Sequence, residues 1–295
     1  MKITNNHNIP APLFRAICKD EYDKGDSDVT VTTLIKPVQI QVLEKQHYKD
    51  IEVDALDNLC MFLGHSVHKA LEESSDDAIV EQRFYKTFNL GENLGSVKLG
   101  GCVDYYDPFT ETITDYKLTN VFSVKEGCKD DWINQMNCYA HLVRANGFPI
   151  KKLQICAIIK DYSRSMANSN PDYPSEPVLV IDVPVWKDEE AEAYISSKMK
   201  SYICGIRQNI YQCCSEEDTW QKPDSYKVFK GSNTRATKSF ATREEALIWI
   251  DGSKDADKYR IVCLQGRRTR CESFCRVNKW CPQYLQYVKD QTDVQ

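Results

Sequence analysis

The chain has 295 residues, a formal net charge of −5 and 42% hydrophobic residues. This composition is typical of a folded protein, and the length suits one large domain or two smaller ones. The acidic balance argues against a protein that coats nucleic acid non-specifically. The sequence lacks both a run of about 18 apolar residues and a signal-peptide pattern at its start. We therefore expect a cytoplasmic protein with no membrane partner.

The first half of the chain predicts an arm, a helix and a group of strands. Residues 1–50 predict an irregular arm with a short helix, in which residues 28–43 are extended. Apolar residues at helical spacing predict a helix over residues 51–73. Residues 78–88 predict a strand, and residues 96–120 predict a hairpin of two strands.

The following residues alternate between helix and strand patterns. Residues 131–147 predict a helix, with Gly147 as its C-terminal stop. Residues 151–162 predict a central strand, residues 178–186 another strand, and residues 187–212 a long helix. The order helix, three strands, helix, two strands, helix predicts an α/β core with a mixed central sheet flanked by helices.

The composition changes after this core. Residues 224–252 predict two short strands and a helix, whose start at Thr242 forms a capping box with Glu245. A cysteine-rich segment and a polar tail follow. We therefore divide the chain into an N-terminal arm (1–50), a core (51–212), a small accessory module (213–262) and a Cys-rich C-terminal segment that packs on the core (263–295).

The predicted hairpin carries charges where apolar residues would be expected. With residues 108–111 as the loop, Asp104 lies opposite Asp115, and Lys117 lies on the same face because side chains alternate along a strand. Opposed residues have Cβ atoms about 4.5–5.5 Å apart, and like charges there are destabilising. One interpretation is a solvated face in which Lys117 neutralises a carboxylate. The other is a site in which a divalent cation stabilises the two carboxylates.

Two predicted helices carry polar residues that could approach this face. His68 lies one turn after Gly64, and a glycine there lets another backbone or a ligand come close. His65 is a competing candidate, but it lies away from the flank that Gly64 and His68 share. Gln135 and Tyr139 are at i and i+4, on one helix face. Each of these signals is weak when taken alone.

Taken in chain order, these motifs resemble those of the PD-(D/E)XK nuclease superfamily. The resemblance is to the branch with RecB-type nuclease domains, CRISPR-associated RecB-like exonucleases and phage exonucleases. It covers residues 55–215, with looser similarity to phage members through the C-terminus. The motifs are GHSVHKALE (Gly64, His68, Glu72), VEQRF (Glu81), GGCVD (Gly101, Asp104), DYK (Asp115, Lys117) and QMNCY (Gln135, Tyr139).

The resemblance implies a restriction-endonuclease-like core that hydrolyses DNA phosphodiester bonds with Mg²⁺ or Mn²⁺. It implies that His68, Asp104, Asp115 and the backbone carbonyl of Tyr116 bind the metal. A histidine ligand makes Mn²⁺ a partner to consider beside Mg²⁺. We expect Lys117 to orient the attacking water and to stabilise charge on the phosphorane.

The resemblance leaves two further roles less defined. Gln135 and Tyr139 would position the nucleic acid or the attacking water. Glu81 would either bind a second metal or buttress the site, and both roles stay open.

The C-terminal segment contains Cys271, Cys275 and Cys281, spaced C-x3-C-x5-C. Closely spaced cysteines of this kind suggest a metal or an iron–sulfur cluster. The resemblance implies a 4Fe-4S cluster with a fourth, distant cysteine, for which Cys214 is our first choice and Cys18 the alternative. Zn²⁺ and reduced free thiols remain alternatives to the cluster. A cluster would fix a segment that is too short to bury its own core.

Two basic stretches could contact DNA phosphates at the mouth of a groove. A solvated basic loop explains them equally well. The residues are Arg267, Arg268 and Arg270 beside the cysteines, and Arg235 and Lys238 in the accessory module.

These interpretations together predict a metal-dependent DNA exonuclease of phage or bacterial recombination, repair or DNA processing. We also consider a recombination or single-strand-binding protein as a partner. An endonuclease of the same fold is the first alternative. A non-catalytic nucleic-acid-binding module is the second, and the intact set of Asp104, Asp115 and Lys117 argues against it.

Overall fold

The structure, a computed structural model, describes residues 1–19, 23–74, 78–125 and 127–293. The chain divides into two compact units. The first consists of Met1–Val42 and Tyr48–Tyr211, and the second of Leu43–His47 and Gln212–Gln295. The first unit thus joins most of the predicted arm to the predicted core. None of the described helices has the length and apolar character needed to cross a membrane.

The first unit alternates strands and helices. Its strands are β1 (Lys2–Thr4), β2 (Val29–Thr30), β3 (Glu52–Asp54), β4 (Ile79–Asn89), β5 (Ser96–Asp107), β6 (Thr112–Thr119), β7 (Lys152–Ile159) and β8 (Val178–Val183). Its helices are α1 (Ala11–Cys18), α2 (Val31–Leu34), α3 (Val38–Gln46, which runs into the second unit), α4 (Leu59–Glu72), α5 (Val121–Val124), α6 (Asp130–Ala145), α7 (Arg164–Ser169) and α8 (Asp188–Gln208).

The main sheet of the first unit is mixed, as predicted. Its strands run in the order β2-β5-β6-β7-β8, and β4 also pairs with β5. The pairs β4–β5, β5–β6 and β7–β8 are antiparallel, whereas β2–β5 and β6–β7 are parallel. Strand β7 is central, as predicted, and its residues alternate between buried and partly exposed. The predicted α/β architecture of a mixed sheet flanked by helices is confirmed.

Helix α6 packs closely against the sheet and supplies much of the core. A Cβ atom at Gly101 on β5 would lie 2.8 Å from the ring of Tyr139 and 2.9 Å from the side chain of Leu142. Only a residue without a side chain therefore allows this approach of helix to strand. The helix ends at Ala145, and Gly147 follows with a φ of +90°, so the predicted C-terminal stop is confirmed.

The predicted extended conformation of residues 28–43 is wrong. Only Val29–Thr30 is a strand, and α2 and α3 follow it. The side chain of Thr30 accepts a hydrogen bond from the backbone N–H of Thr33, which caps α2. Val31 is fully buried there, so tertiary packing overrides the preference of a β-branched residue for strands.

The helix predicted over residues 51–73 starts later than expected. Its first residues form β3 and a 3₁₀ turn over Ala55–Asn58, where the side chain of Asp54 accepts a hydrogen bond from the N–H of Leu56. Helix α4 proper therefore begins at Leu59.

The second unit contains a small antiparallel sheet and four short helices among its described residues. Its strands, in the order β10-β9-β11, are β9 (Ser225–Lys230), β10 (Lys238–Phe240) and β11 (Tyr259–Leu264). Its helices are α9 (Glu216–Thr219), α10 (Arg243–Asp251), α11 (Thr269–Ser273) and α12 (Pro282–Asp293), with 3₁₀ turns at Ala256–Lys258 and Asn278–Trp280. The predicted capping box of Thr242 and Glu245 is confirmed, but the prediction missed β11.

We expect Gly101→Ala to destabilise the protein by about 1–3 kcal/mol, because the added methyl group overpacks the contact between β5 and α6. Gly64→Ala is the matched control, since Gly64 is helical and a Cβ atom there meets nothing within 4 Å. That substitution should stabilise the protein by about 0.5–1 kcal/mol. Urea denaturation measures both changes. Equal effects of the two substitutions would show that Gly101 does not set the helix–strand distance.

Candidate metal centre

The antiparallel ladder between β5 and β6 ends where the two aspartates begin. The last pair is Tyr105 with Thr114, in the register predicted from the sequence, and Asp104 and Asp115 are the next residues. The backbone N–H of Tyr116 donates a hydrogen bond of 2.9 Å to Oδ2 of Asp104. The Asp104 carboxylate thus takes the place of a main-chain partner and is fixed between the strands.

His68 of α4 lies against two carboxylates. Its Nδ1 is 3.4 Å from Oε1 of Glu81 and 3.5 Å from Oδ1 of Asp104, and its Nε2 is 3.0 Å from the carbonyl oxygen of Tyr116. The pKa of His68 is raised to about 10, mainly by its hydrogen bond to Asp104 and, second in size, by its hydrogen bond to Glu81. The ring is therefore protonated at neutral pH in the metal-free protein, and a cation already occupies this position.

These three side chains have the chemistry of a metal-binding group. Within the described ranges, His68, Glu81 and Asp104 form the one cluster whose ligand atoms all lie within 4.8 Å of one another. Carboxylate oxygens and an imidazole nitrogen suit Mg²⁺ and Mn²⁺. The residues fit such an ion, which would replace the proton of His68.

Glu81 reaches this cluster through an unusual backbone conformation. Its φ is +47°, in the left-handed region, although the pairs on either side of it keep one register between β4 and β5. Such a conformation costs about 1–3 kcal/mol for a residue with a side chain. It places Oε1 beside His68, and Oε2 accepts a hydrogen bond from the thiol of Cys102 at 3.4 Å. Cys102 was not among the predicted site residues, because nothing in a strand pattern marks a thiol as a carboxylate partner.

Asp115 is buried, with 2% of its side chain exposed, beside Lys117. The Nζ of Lys117 lies 2.7 Å from Oδ2 and 3.0 Å from Oδ1, and Nε2 of Gln135 donates to Oδ1 at 3.3 Å. Oδ2 accepts no hydrogen bond of good geometry. Burial raises the pKa of Asp115 to about 6, although Lys117 opposes this. Asp115 does not belong to the group formed by His68, Glu81 and Asp104, so its role as a metal ligand stays a prediction.

Helix α6 contributes the remaining polar residues. Nε2 of Gln135 also donates to the hydroxyl of Tyr139 at 3.0 Å, so the two side chains act as one connected pair. Burial raises the pKa of Tyr139 well above its usual value, so the phenol stays neutral. A Cβ atom at Gly64 would meet nothing within 4 Å, so no described backbone approaches it, and the approach of a ligand stays a prediction. His65 is exposed.

The structure thus brings together the residues predicted for one site. They are His68, Glu81, Asp104, Asp115, Tyr116, Lys117, Gln135 and Tyr139.

Four cysteines of the second unit influence each other. Burial and, to a smaller extent, the nearby charges of Asp218, Cys281 and Cys271 together raise the pKa of Cys214 to about 12. The pKa of Cys271 is raised to about 11, mainly by burial and to a smaller extent by the electrostatic influence of Cys275 and Cys281. Within the described residues, no three of these sulfurs lie within 4.8 Å of one another.

The backbone around the cysteines is held by amide side chains. Gln283 makes two hydrogen bonds to the backbone of Cys214, at 2.8 and 3.1 Å, and Asn278 donates to the carbonyl of Cys271 at 2.8 Å. Cys18, the alternative fourth ligand, belongs to the first unit at the end of α1.

Two of the predicted DNA-binding arginines have partners inside the second unit. Arg267 forms an ion pair with Glu272. Arg268 donates to Oε1 of Gln221 at 3.1 Å, and its guanidinium lies 4.7 Å from the ring centre of Tyr287. Arg268 is thus held by contacts within the unit, whereas the side chain of Arg267 is 68% exposed and its ion pair adds little stability.

The other three residues predicted to contact DNA are Arg270, Lys238 and Arg235. Arg270 donates to the carbonyl of Asp218 at 3.1 Å and lies over the ring of Trp220 at 5.5 Å. The Nζ of Lys238 lies 5.2 Å from the ring centre of Phe240. Arg235 is exposed.

We expect the metal-free protein, kept in EDTA, to lose stability as the pH rises from about 6.5 to 10. The pKa of His68 is raised on folding, so its contribution is fully present below the unfolded pKa of about 6.5 and is lost towards 10. His68→Gln should flatten this slope, whereas His65→Gln, on the exposed side of α4, should keep it. Thermal melts across this pH range measure the slopes. A wild-type slope in His68→Gln would show that other groups cause the loss.

Comparisons with known proteins add little to this geometry. No family model matches the sequence, and no curated protein matches it. The crystal structure of SSO0001 is similar, with a TM-score of 0.47 and 18% sequence identity over 70% of this chain and 87% of that chain. A similarity at this level transfers neither the fold nor the activity of that protein to this chain.

Proposed function

We propose that this chain is a metal-dependent deoxyribonuclease with a restriction-endonuclease-like core, of the RecB-like exonuclease type in the PD-(D/E)XK superfamily. The observation that carries the proposal is the meeting of Asp104, Asp115 and Lys117 with His68 and Glu81 at the end of one hairpin. The proposed substrate is cytoplasmic DNA in phage or bacterial recombination, repair or processing. A recombination or single-strand-binding protein is the proposed partner.

The cluster supports a site for Mg²⁺ or Mn²⁺. His68, Glu81 and Asp104 would hold the ion, with the carbonyl of Tyr116 and the carboxylate of Asp115 as further proposed ligands. When bound, the ion would polarise the scissile phosphate and lower the pKa of a bound water. His68 must lose its proton to become a ligand.

Lys117 is placed to act on the substrate. Asp115 holds its ammonium group at 2.7 and 3.0 Å, and the side chain is still 26% exposed. A cation fixed in this way can donate hydrogen bonds to a phosphate oxygen and to the attacking water without reorganisation. Gln135 donates to Oδ1 of Asp115, which Lys117 also contacts, so Gln135 acts as a positioning residue for Asp115 and through it for Lys117.

The exonuclease activity is proposed from the resemblance and from the acidic net charge of −5. A protein with this net charge attracts a DNA duplex only weakly over long distances. This favours binding that starts at the end of a strand. Incubating the protein with linear and closed circular DNA tests this directly. Both DNAs are supplied single- and double-stranded, with Mg²⁺ or Mn²⁺. Loss of linear DNA alone supports an exonuclease, and cutting of circles supports an endonuclease. No cutting by pure protein would contradict the proposed function and favour a binding module.

The second proposed cofactor is a 4Fe-4S cluster held by Cys214, Cys271, Cys275 and Cys281. The chemistry of four neighbouring thiols fits a thiophilic group. With Zn–S bonds of about 2.3 Å, a tetrahedral zinc ion would draw its sulfurs to within about 4 Å of one another. A zinc ion held by the same four thiols is the alternative, and the metal content of the purified protein distinguishes the two. The role of the cluster would be to fix the terminal segment.

We expect Lys117→Ala to lower turnover by about 100- to 1,000-fold, because a donor to the developing phosphorane charge is lost. Mn²⁺ binding should persist, since Lys117 is not a proposed ligand. Initial rates on linear DNA and calorimetric titration with Mn²⁺ measure the two effects. Lys151→Ala is the matched control, because Lys151 is an exposed lysine paired with Glu111. Loss of Mn²⁺ affinity in Lys117→Ala would contradict this division of roles.

We expect protein purified without oxygen to be brown and to absorb broadly in the visible range. Cys214→Ala should lose this colour, whereas Cys213→Ala, at the exposed neighbouring cysteine, should keep it. Cys18→Ala should also keep it. Colour lost only in Cys18→Ala would make that residue the fourth ligand. A colourless wild-type protein with one equivalent of zinc would exclude the cluster.

A further inference from the structure

A pocket of about 480 Å³ lies within the second unit, beside the cysteines but separate from them. One wall is a face of α12, and the other is the segment between β11 and α11. The helix contributes Tyr284, Tyr287, Val288 and Gln291. Spacing of i, i+3, i+4 and i+7 places these four residues on one helix face.

The two tyrosines form an ordered aromatic stack. Their ring centres are 6.1 Å apart, and the rings are inclined by 28°. The hydroxyl of Tyr287 donates to the carbonyl of Gly266 at 3.0 Å, and the guanidinium of Arg268 lies 4.7 Å from its ring centre. Tyr287 is therefore held before any ligand arrives, and a planar group that enters the pocket can extend the stack on Tyr284.

The remaining lining is polar but carries little net charge. Arg267 and Glu272 form an ion pair, so neither presents an uncompensated charge. The amides of Gln265 and Gln291 offer both donors and acceptors. Such a lining fits a planar, neutral ring with donors and acceptors on its edge, which describes a nucleobase.

A polymer strand fits this pocket better than a free nucleotide. The phosphate of a free nucleotide would need a cation, but Arg267 is already paired with Glu272. A base within a strand needs only the stacking surface and the polar edge. Base stacking on aromatic residues is a common means of binding single strands without sequence preference.

We propose that the pocket formed by Tyr284, Tyr287, Arg267 and Glu272 binds a nucleobase of single-stranded DNA. This proposal rests on the proposed deoxyribonuclease function and names a second point at which the substrate strand is held. It also changes the interpretation of Arg267 and Arg268, which support the pocket through Glu272 and Tyr287.

The test uses the full chain in EDTA, so that DNA is bound but not cut. Fluorescence anisotropy with a labelled oligothymidine of about 20 nucleotides measures affinity. Tyr284→Ala should weaken binding about tenfold or more, because one base loses its stacking partner. Tyr284→Phe should retain affinity. Leu285→Ala is the matched control, since Leu285 is 52% exposed on α12 and does not line the pocket.

Two further measurements separate stacking from charge and from misfolding. The slope of affinity against salt should be unchanged in Tyr284→Ala, because no phosphate contact is removed. Gln291→Trp fills the pocket from a position near the end of α12, so it should block binding even if Tyr284→Ala does not fold. Thymidine monophosphate at millimolar concentration should compete poorly with the oligonucleotide. Strong competition would instead assign the pocket to free nucleotides.

The outcomes distinguish this proposal from the proposed function. Wild-type affinity in Tyr284→Ala and Gln291→Trp overturns the pocket proposal, even if the wild-type protein cleaves DNA. Loss of binding in both variants supports the pocket, even if the wild-type protein cleaves nothing with either metal, in which case only the deoxyribonuclease proposal fails.

Discussion

The burial of the Asp115 carboxylate is the constraint on which the rest of the candidate site depends. A buried carboxylate is strongly unfavourable unless charged and hydrogen-bonding partners surround it. Lys117 and Gln135 provide such partners, yet one oxygen remains without a good hydrogen bond. Gln135 can reach Asp115 only because α6 lies close to β5, and that approach requires Gly101 opposite Tyr139. The contact between Gln135 and Asp115 therefore depends on the packing of α6 against β5.

A second arrangement on the same hairpin concentrates negative charge around His68. Asp104 and Glu81 both accept from its ring, and Glu81 does so from a strained backbone conformation. Strain of this kind persists only where surrounding structure enforces it. In the metal-free protein a proton on His68 offsets the repulsion between the carboxylates. A divalent ion can also offset this repulsion and can bind more ligands. A proton on His68 and a bound metal ion would therefore compete for the cluster.

The sequence was most informative where local patterns and turns decide the structure. Alternation and the hairpin loop correctly predicted the register of the three pairs that lead up to Asp104 and Asp115, although these two residues are not themselves paired in the ladder. Helical spacing correctly paired Gln135 with Tyr139. The position of Glu81 in the cluster could not be predicted from the sequence, because strand alternation does not reveal that Glu81 adopts a left-handed conformation.

Tertiary packing explains the errors elsewhere. The β-branched residues after Asp28 predicted an extended segment, but burial of Val31 and Leu34 in a capped helix outweighed that local preference. The spacing of the three C-terminal cysteines was visible in the sequence. The surroundings of Cys214 were not, because Gln283 and Asp218 approach it only in the folded unit.

Charge placement finally constrains how such a protein could hold DNA. The net charge is −5, and Arg267, Arg268 and Arg270 are engaged by Glu272, Gln221 and the carbonyl of Asp218. Of these three arginines, only Arg267 is paired with a carboxylate among the described residues, so the acidic net charge is the main limit on affinity from phosphate neutralisation. Base stacking and a metal-bound phosphate are the contacts that remain strong when net charge is unfavourable. In the proposed function, the aromatic pocket would supply the stacking contact and the acidic hairpin the metal-bound phosphate, and neither contact needs a broad basic surface.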